Sequence, residues 1–190
     1  MNKIHYSLIL VLVGGAILIT SFIGEPQSTP DSPQASSPPL TAVAAEKNEQ
    51  ETGRFNLDVS FKDITDTSRS LSEWKGKILV LNFWATWCAP CRHEIPELNA
   101  VQKKYADRNV EIIGLAYDDI AAIKRFSSII PIDYQVLVGD EEVIELSMTY
   151  GNVMSILPYT IFIDTEGRIF DIKEGALTQA ATERILAKVL

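Results

Sequence analysis

The stretch Gly76–Glu97, GKILVLNFWATWCAPCRHEIPE, decides how the rest of the chain is read. Ile78-Leu79-Val80-Leu81 is an apolar run of strand length, and Asn82, Phe83, Trp84 and Ala85 extend it. An unbroken run of this kind predicts a central strand buried on both faces. Trp87-Cys88-Ala89-Pro90-Cys91 follows, and the pattern then turns helical as far as Tyr105. Ile95, Leu98, Val101 and Tyr105 share one face, with Arg92, Glu97, Lys103 and Lys104 elsewhere around the helix. Pro96 lies inside it, where it removes one backbone hydrogen bond and predicts a kink.

Cys88 and Cys91 are the only cysteines in 190 residues. Two cysteines three apart, where a strand passes into a helix, suit thiol–disulfide chemistry. The thiolate is the attacking species, so the nucleophile needs a lowered pKa. A helix N-terminus supplies unpaired N–H groups and the positive end of the macrodipole. Cys88 is expected there with its sulfur exposed, and Cys91 one turn further in. Pro90 falls in the first turn, where it has no N–H to lose and a suitable φ. Trp84 and Trp87 are suited to shielding the pair without adding charge. A zinc site needs four ligands, and the only imidazoles are His5, ahead of an apolar segment, and His93. A purely structural disulfide closing so short a loop would constrain the unfolded chain little. Redox exchange is the favoured reading, with no metal and no cofactor.

The segment VLNFWATWCAPCRHEIPEL resembles the TlpA/ResA branch of the thioredoxin superfamily, the membrane-anchored thiol–disulfide oxidoreductases of bacteria. The likeness extends over about residues 60 to 190. It implies a thioredoxin-like α/β sandwich around a mixed central sheet. An N-terminal hairpin would precede the core and a helix–strand insertion would lie within it. It also implies a single-pass membrane protein with its catalytic domain on the extracytoplasmic side. That domain would reduce oxidised client proteins, apocytochrome c among them, with electrons from a membrane thiol transporter.

The first fifty residues are of other material. From Tyr6 to Ile23 there is no charged residue, and Lys3 precedes the run. The following TSFIGEP is a poor cleavage site, so residues 1–24 are read as an uncleaved anchor with the N-terminus inside. Residues 25–53 hold five prolines among Ser, Thr, Gln and Ala and carry a net charge of −4, which predicts a solvated tether. The net charge of the whole chain, −8, argues against nucleic-acid binding.

Residues 54–190 then form the globular domain. Phe55, Leu57, Val59 and Phe61 alternate with polar residues, predicting a half-buried strand over Phe55–Ile64, and Asp63–Ser72 is turn-like. Trp74 is read as packing. Val110–Tyr117 is a buried strand, Asp119–Ile129 a helix, Tyr134–Val138 a strand and Glu141–Tyr150 a helix stopped by Gly151. The helix and strand between Asp118 and Gly139 resemble the insertion of this branch. Tyr159–Asp164 and Arg168–Lys173 make a hairpin about Thr165-Glu166-Gly167. Thr178–Val189 closes the chain as a helix with Ala181, Ile185, Leu186 and Val189 inward. The order of elements is that of an α/β sandwich. Leu157-Pro158 could be an ordinary trans dipeptide opening an edge strand. The resemblance implies instead a cis-proline facing the cysteines, with Trp87, Pro90, Leu157 and Pro158 contacting the client.

In one respect the chain departs from thioredoxin. That protein carries a buried aspartate in the strand before its cysteines, paired with a lysine on a neighbouring strand. Here the strand has Asn82, and VEIIGLAY contains no lysine. Glu94, one turn after Cys91 on the same face, is the candidate substitute. Partly buried, it would have a raised pKa and could exchange a proton with that thiol; solvated, it would be an ordinary helix glutamate. His93 is read as surface. Two other functions stay open: a copper metallochaperone using the same cysteines, for which His93 is a poor third ligand, and a peroxiredoxin-like peroxidase. The latter expects Thr-x-x-Cys, whereas Thr86 lies only two residues before Cys88.

Overall fold

A computed structural model describes residues 53–190 of the chain. The expected anchor (1–24) and nearly all of the expected tether (25–53) lie outside the described residues. Among those described, no helix is long and apolar enough to cross a membrane.

Among the described residues seven strands form one mixed sheet. They are β1 (Ser60–Asp63), β2 (Ser68–Ser70), β3 (Ile78–Trp84), β4 (Val110–Tyr117), β5 (Gln135–Gly139), β6 (Tyr159–Ile163) and β7 (Ile169–Glu174), in the spatial order β2-β1-β5-β4-β3-β6-β7. Among the described residues four α-helices cover it: α1 (Ala89–Tyr105), α2 (Ile120–Ser127), α3 (Glu141–Thr149) and α4 (Gln179–Leu186). β3 is parallel to β4 and antiparallel to β6, and all seven of its residues are buried. Alternation divides them between two cores. Ile78, Val80 and Trp84 meet Ile95, Leu98 and Val101 of α1, with Ile123 and Leu186 from α2 and α4. Leu79, Leu81 and Phe83 meet Val143 of α3, together with Phe55, Leu71 and Trp74. Each such side chain withdrawn from water contributes about 1.5–3 kcal/mol, which makes β3 the spine of the domain.

The expected insertion is present: α2 leads into β5, which enters the sheet between β4 and β1. The expected N-terminal hairpin is β1–β2. Three local expectations are corrected. The strand expected over Phe55–Ile64 is confined to Ser60–Asp63, because its partner β2 is only three residues long; Phe55 packs its ring on Tyr150 from outside the sheet. The polar stretch Asp63–Ser72 is more than a turn: it supplies β2 and opens a 3-10 helix (Leu71–Trp74) closed by a capping box from Ser70 and Glu73. The last helix is shorter than expected. It ends at Leu186, leaving Val189 exposed, and Thr182 takes the inward position instead. Trp74 is buried and His93 exposed, as read from the sequence. Gly151, at φ 105°, ends α3 in a conformation that costs a side chain dearly.

Candidate active site

The cysteine pair lies where β3 leaves the sheet. Cys88 has extended dihedrals (φ −81°, ψ 106°) and is the N-cap of α1, its sulfur accepting from the N–H of Cys91 at 3.3 Å. Cys88 and Cys91 are joined as a disulfide, with Cα atoms 5.3 Å apart. Pro90 occupies the exposed first turn, as its missing N–H allows. Cys91 is fully buried, as expected. Cys88, expected with its sulfur exposed, is itself only 6% exposed, because it packs in the same apolar cluster as Cys91. The two tryptophans diverge: Trp84 is sealed in the core against Phe126, while Trp87 is 65% exposed and meets Tyr117 edge-on. Trp87 alone is placed at the exposed rim, whereas Trp84 belongs to the buried cluster that also holds Cys88 and Cys91.

Leu157 and Pro158 reach the same place through strand register. β6 pairs with β3 so that Tyr159 lies opposite Phe83, and Pro158, one residue back, comes to the end of β3 from which the chain runs on to Cys88. The Leu157–Pro158 bond is cis. The Pro158 carbonyl accepts from Gly175 N–H, whereas the backbone N–H and C=O of Leu157 make no hydrogen bond among the described residues. An unpaired backbone edge beside a disulfide is what an extended peptide can join.

Glu94 is buried, 1% exposed, one turn along α1 from Cys91. The solvated-glutamate alternative is thereby set aside. One carboxylate oxygen accepts from Asn82 Nδ2 at 2.8 Å and the other from the backbone N–H of Leu177 at 2.9 Å. Asn82 Nδ2 is shared with Thr160 Oγ1 at 3.0 Å, the two residues facing each other across β3 and β6. Burial pushes the Glu94 carboxyl up to about 7, and the bonds from Leu177 and Asn82 only partly oppose it. A carboxyl poised there can take or give a proton near neutrality.

Sequence reasoning missed the floor of this site. Gly114 of β4 lies opposite Asn82, and the space a Cβ would need there is taken by Trp84 Nε1, at 2.8 Å, and the Tyr134 ring, at 3.1 Å. Asn82 Oδ1, Trp84 Nε1 and the Tyr134 hydroxyl are all buried there without a partner among the described residues. Burial, and then the nearby Glu94 charge, raise the Tyr134 hydroxyl above its ordinary pKa. The lone glycine in an apolar strand was the available signal.

A disulfide at a helix N-terminus, a buried carboxyl one turn on and a proline turning into the neighbouring strand define a thioredoxin-like thiol–disulfide oxidoreductase. Residues 52–172 match the AhpC/TSA family, and the chain belongs to it. It is 31% identical over 146 residues to the thiol-disulfide oxidoreductase ResA of Bacillus cereus, covering 76% of this chain and 82% of that one. It is 34% identical over 138 residues to the thioredoxin-like protein YneN of Bacillus subtilis, covering 70% and 78%. A thiol:disulfide interchange protein of Chlorobium tepidum superposes with a TM-score of 0.65 at 28% identity, over 72% of this chain and 96% of that one. A secreted Mycobacterium tuberculosis disulfide oxidoreductase shares the fold at 24% identity, with a TM-score of 0.59 over 70% and 97%.

Proposed function

We propose that this chain is an extracytoplasmic reductant of protein disulfides, tethered to the cytoplasmic membrane by its apolar residues 1–24. The observation that carries the reductive reading is the buried Glu94 one turn from Cys91. In the reduced protein Cys88, at the helix N-terminus, attacks one sulfur of a client disulfide as the thiolate. The S–S bond breaks, the departing client thiolate takes a proton, and Cys88 is left in a mixed disulfide. Cys91 then needs to lose its proton in a site shut off from water. Ionised Glu94 accepts it, and the Cys91 thiolate displaces the client from Cys88 and regenerates the disulfide. Trp87, Pro90, Leu157 and Pro158 form the rim on which the client rests, its backbone pairing with Leu157.

Clients in this reading are oxidised extracytoplasmic proteins, apocytochrome c among them, and a membrane thiol transporter returns the electrons. The uncharged run from Tyr6 to Ile23 behind Lys3 supports the tether. A peroxidase reading is disfavoured by Thr86, whose hydroxyl donates to the carboxylate of Asp118.

Insulin reduction with and without hydrogen peroxide, combined with trapping, tests the proposal. Reduction of insulin is expected without consumption of peroxide. Cys91→Ser is expected to accumulate mixed disulfides that Cys88→Ser does not form. Peroxide turnover with intact insulin, or better trapping by Cys88→Ser, overturns it.

A further inference from the structure

Next to the rim lies a groove of about 270 Å³ bounded by Trp87, Tyr117, Ile144 and Leu157, with Glu141 and Glu145 on its α3 side. Trp87, Tyr117, Ile144 and Leu157 give it an apolar lining. Exposed apolar side chains adjoin the lining residues in the chain: Val153 at 72%, Met154 at 76% and Ile156 lie beside Ser155, which also lines it, and Met148 lies one turn along α3 from Ile144 and Glu145. Scattered exposed apolar residues mean little, but exposed apolar side chains on the two segments that line a groove next to a reactive disulfide mark a contact surface.

Folding explains the acidic wall only in part. Glu141 lies in the first turn of α3, where a carboxylate is favoured by the macrodipole. Glu145 stands one turn further on, on the same face. Like charges at this spacing repel. Neither forms an ion pair with Lys or Arg among the described residues, although eight other ion pairs are present there. Two unpaired carboxylates over an apolar floor complement a side chain that carries a cation on or beside an apolar body.

We infer that this groove selects the client: it takes an apolar side chain next to the attacked cysteine, with a Lys or Arg beside it held by Glu141 and Glu145. The inference rests on the exchange reaction proposed above and names the class of segment that reaction acts on. Leu157 supplies the backbone edge and Trp87 the near wall, so a peptide paired at Leu157 lays alternate side chains toward the groove.

The probes are three short synthetic peptides with an intramolecular Cys-x-x-Cys disulfide. Leu-Lys, Leu-Glu or Ser-Lys precedes the first cysteine. Second-order rate constants are measured with the fully reduced full-length protein. The Leu-Lys peptide is expected to react about tenfold faster than the Leu-Glu peptide at low salt. That ratio should fall at least severalfold in about 0.5 M salt and in the double variant Glu141→Gln/Glu145→Gln. The Ser-Lys peptide is expected to be slower than Leu-Lys by a similar factor. Bis(2-hydroxyethyl) disulfide, neutral and too small to fill the groove, separates the two levels. If the wild type reduces neither it nor any peptide, the oxidoreductase reading fails. If it reduces all of them, but the peptides at one rate, or with a Lys preference that survives the double variant, the groove inference alone is overturned.

Discussion

Asn82 Nδ2 donates to Glu94 Oε1 at 2.8 Å, joining the centre of β3 to the buried face of α1 across twelve residues of sequence. Asn82 stands where thioredoxin has an aspartate, and an amide can serve a neighbouring carboxyl in both of its protonation states. When Glu94 is ionised, the Asn82 NH2 donates to it and to Thr160. When Glu94 is protonated, a flipped amide can accept through Oδ1, which has no partner in the present orientation. The site can therefore hold or release a proton without leaving a charge unsupported.

Stability should depend on this carboxyl. Its pKa is about 7 in the folded chain against 4.5 as the ordinary value. Between those values the native state keeps a proton that the unfolded state has released, so stability falls as pH rises through the window. The loss amounts to about 3 kcal/mol and levels off above pH 7. Asp63, Glu73, Asp164 and Glu183 are all shifted downward and act below this range. Urea unfolding of the oxidised protein at several pH values between 4.5 and 8 should show the decline, and Glu94→Gln should flatten it. Parallel curves for the two proteins would contradict the assignment.

Catalysis should follow the same group. The rate of disulfide reduction by the reduced protein is expected to rise as Glu94 ionises near pH 7. In Glu94→Gln that step should disappear and the rate at pH 8 should fall about 10²-fold, a typical loss for a general base. Far-UV circular dichroism should be unchanged. A wild-type pH–rate profile retained by the variant would remove Glu94 from the proton path.

Asn82→Asp places a second carboxylate against the first. Two such groups titrate as a pair and cannot both ionise readily. The step in the pH–rate profile should move upward by about one unit or more, with stability lost at pH 8. A profile left in place would mean that Asn82 does not face the titrating group.

Gly114→Ala should destabilise the domain by about 1–3 kcal/mol, because the new methyl meets the Trp84 indole at 2.8 Å and the Tyr134 ring at 3.1 Å. The urea midpoint reads this directly. A midpoint shift near zero would show that both rings can move aside.

The sequence carried the spine of the fold because β3 is apolar throughout and its neighbours are of similar composition. Val110–Tyr117 was legible to the residue, and the N-cap position of Cys88 followed from the strand-to-helix change of period. Local periodicity misled at Phe55–Val59, where alternation reflects packing of Phe55 on Tyr150 and half-burial of Leu57 and Val59 outside any ladder. It misled at Val189 too, which lies past the end of α4 and is exposed. The bonds that tune Glu94 were out of reach for a different reason. Thr160 and Leu177 lie seventy-eight and eighty-three residues from their partners and are brought in only by the β3–β6 register and the turn before α4. Tyr134 gave no signal at all, being one aromatic at the start of an inserted strand.

The reduction potential of the Cys88–Cys91 couple tests the central claim most directly. The Cys88 sulfur accepts one N–H at the helix N-terminus, and a buried carboxyl that can ionise lies one turn from its partner. The single N–H and the helix N-terminus lower the Cys88 thiol only in part, and an ionised carboxyl beside Cys91 opposes a second anion there, so the thiolate is stabilised less than in a dedicated oxidant. Equilibration with glutathione or dithiothreitol buffers should give a value near that of thioredoxin, about −270 mV, whereas one near −120 mV would contradict a reductant.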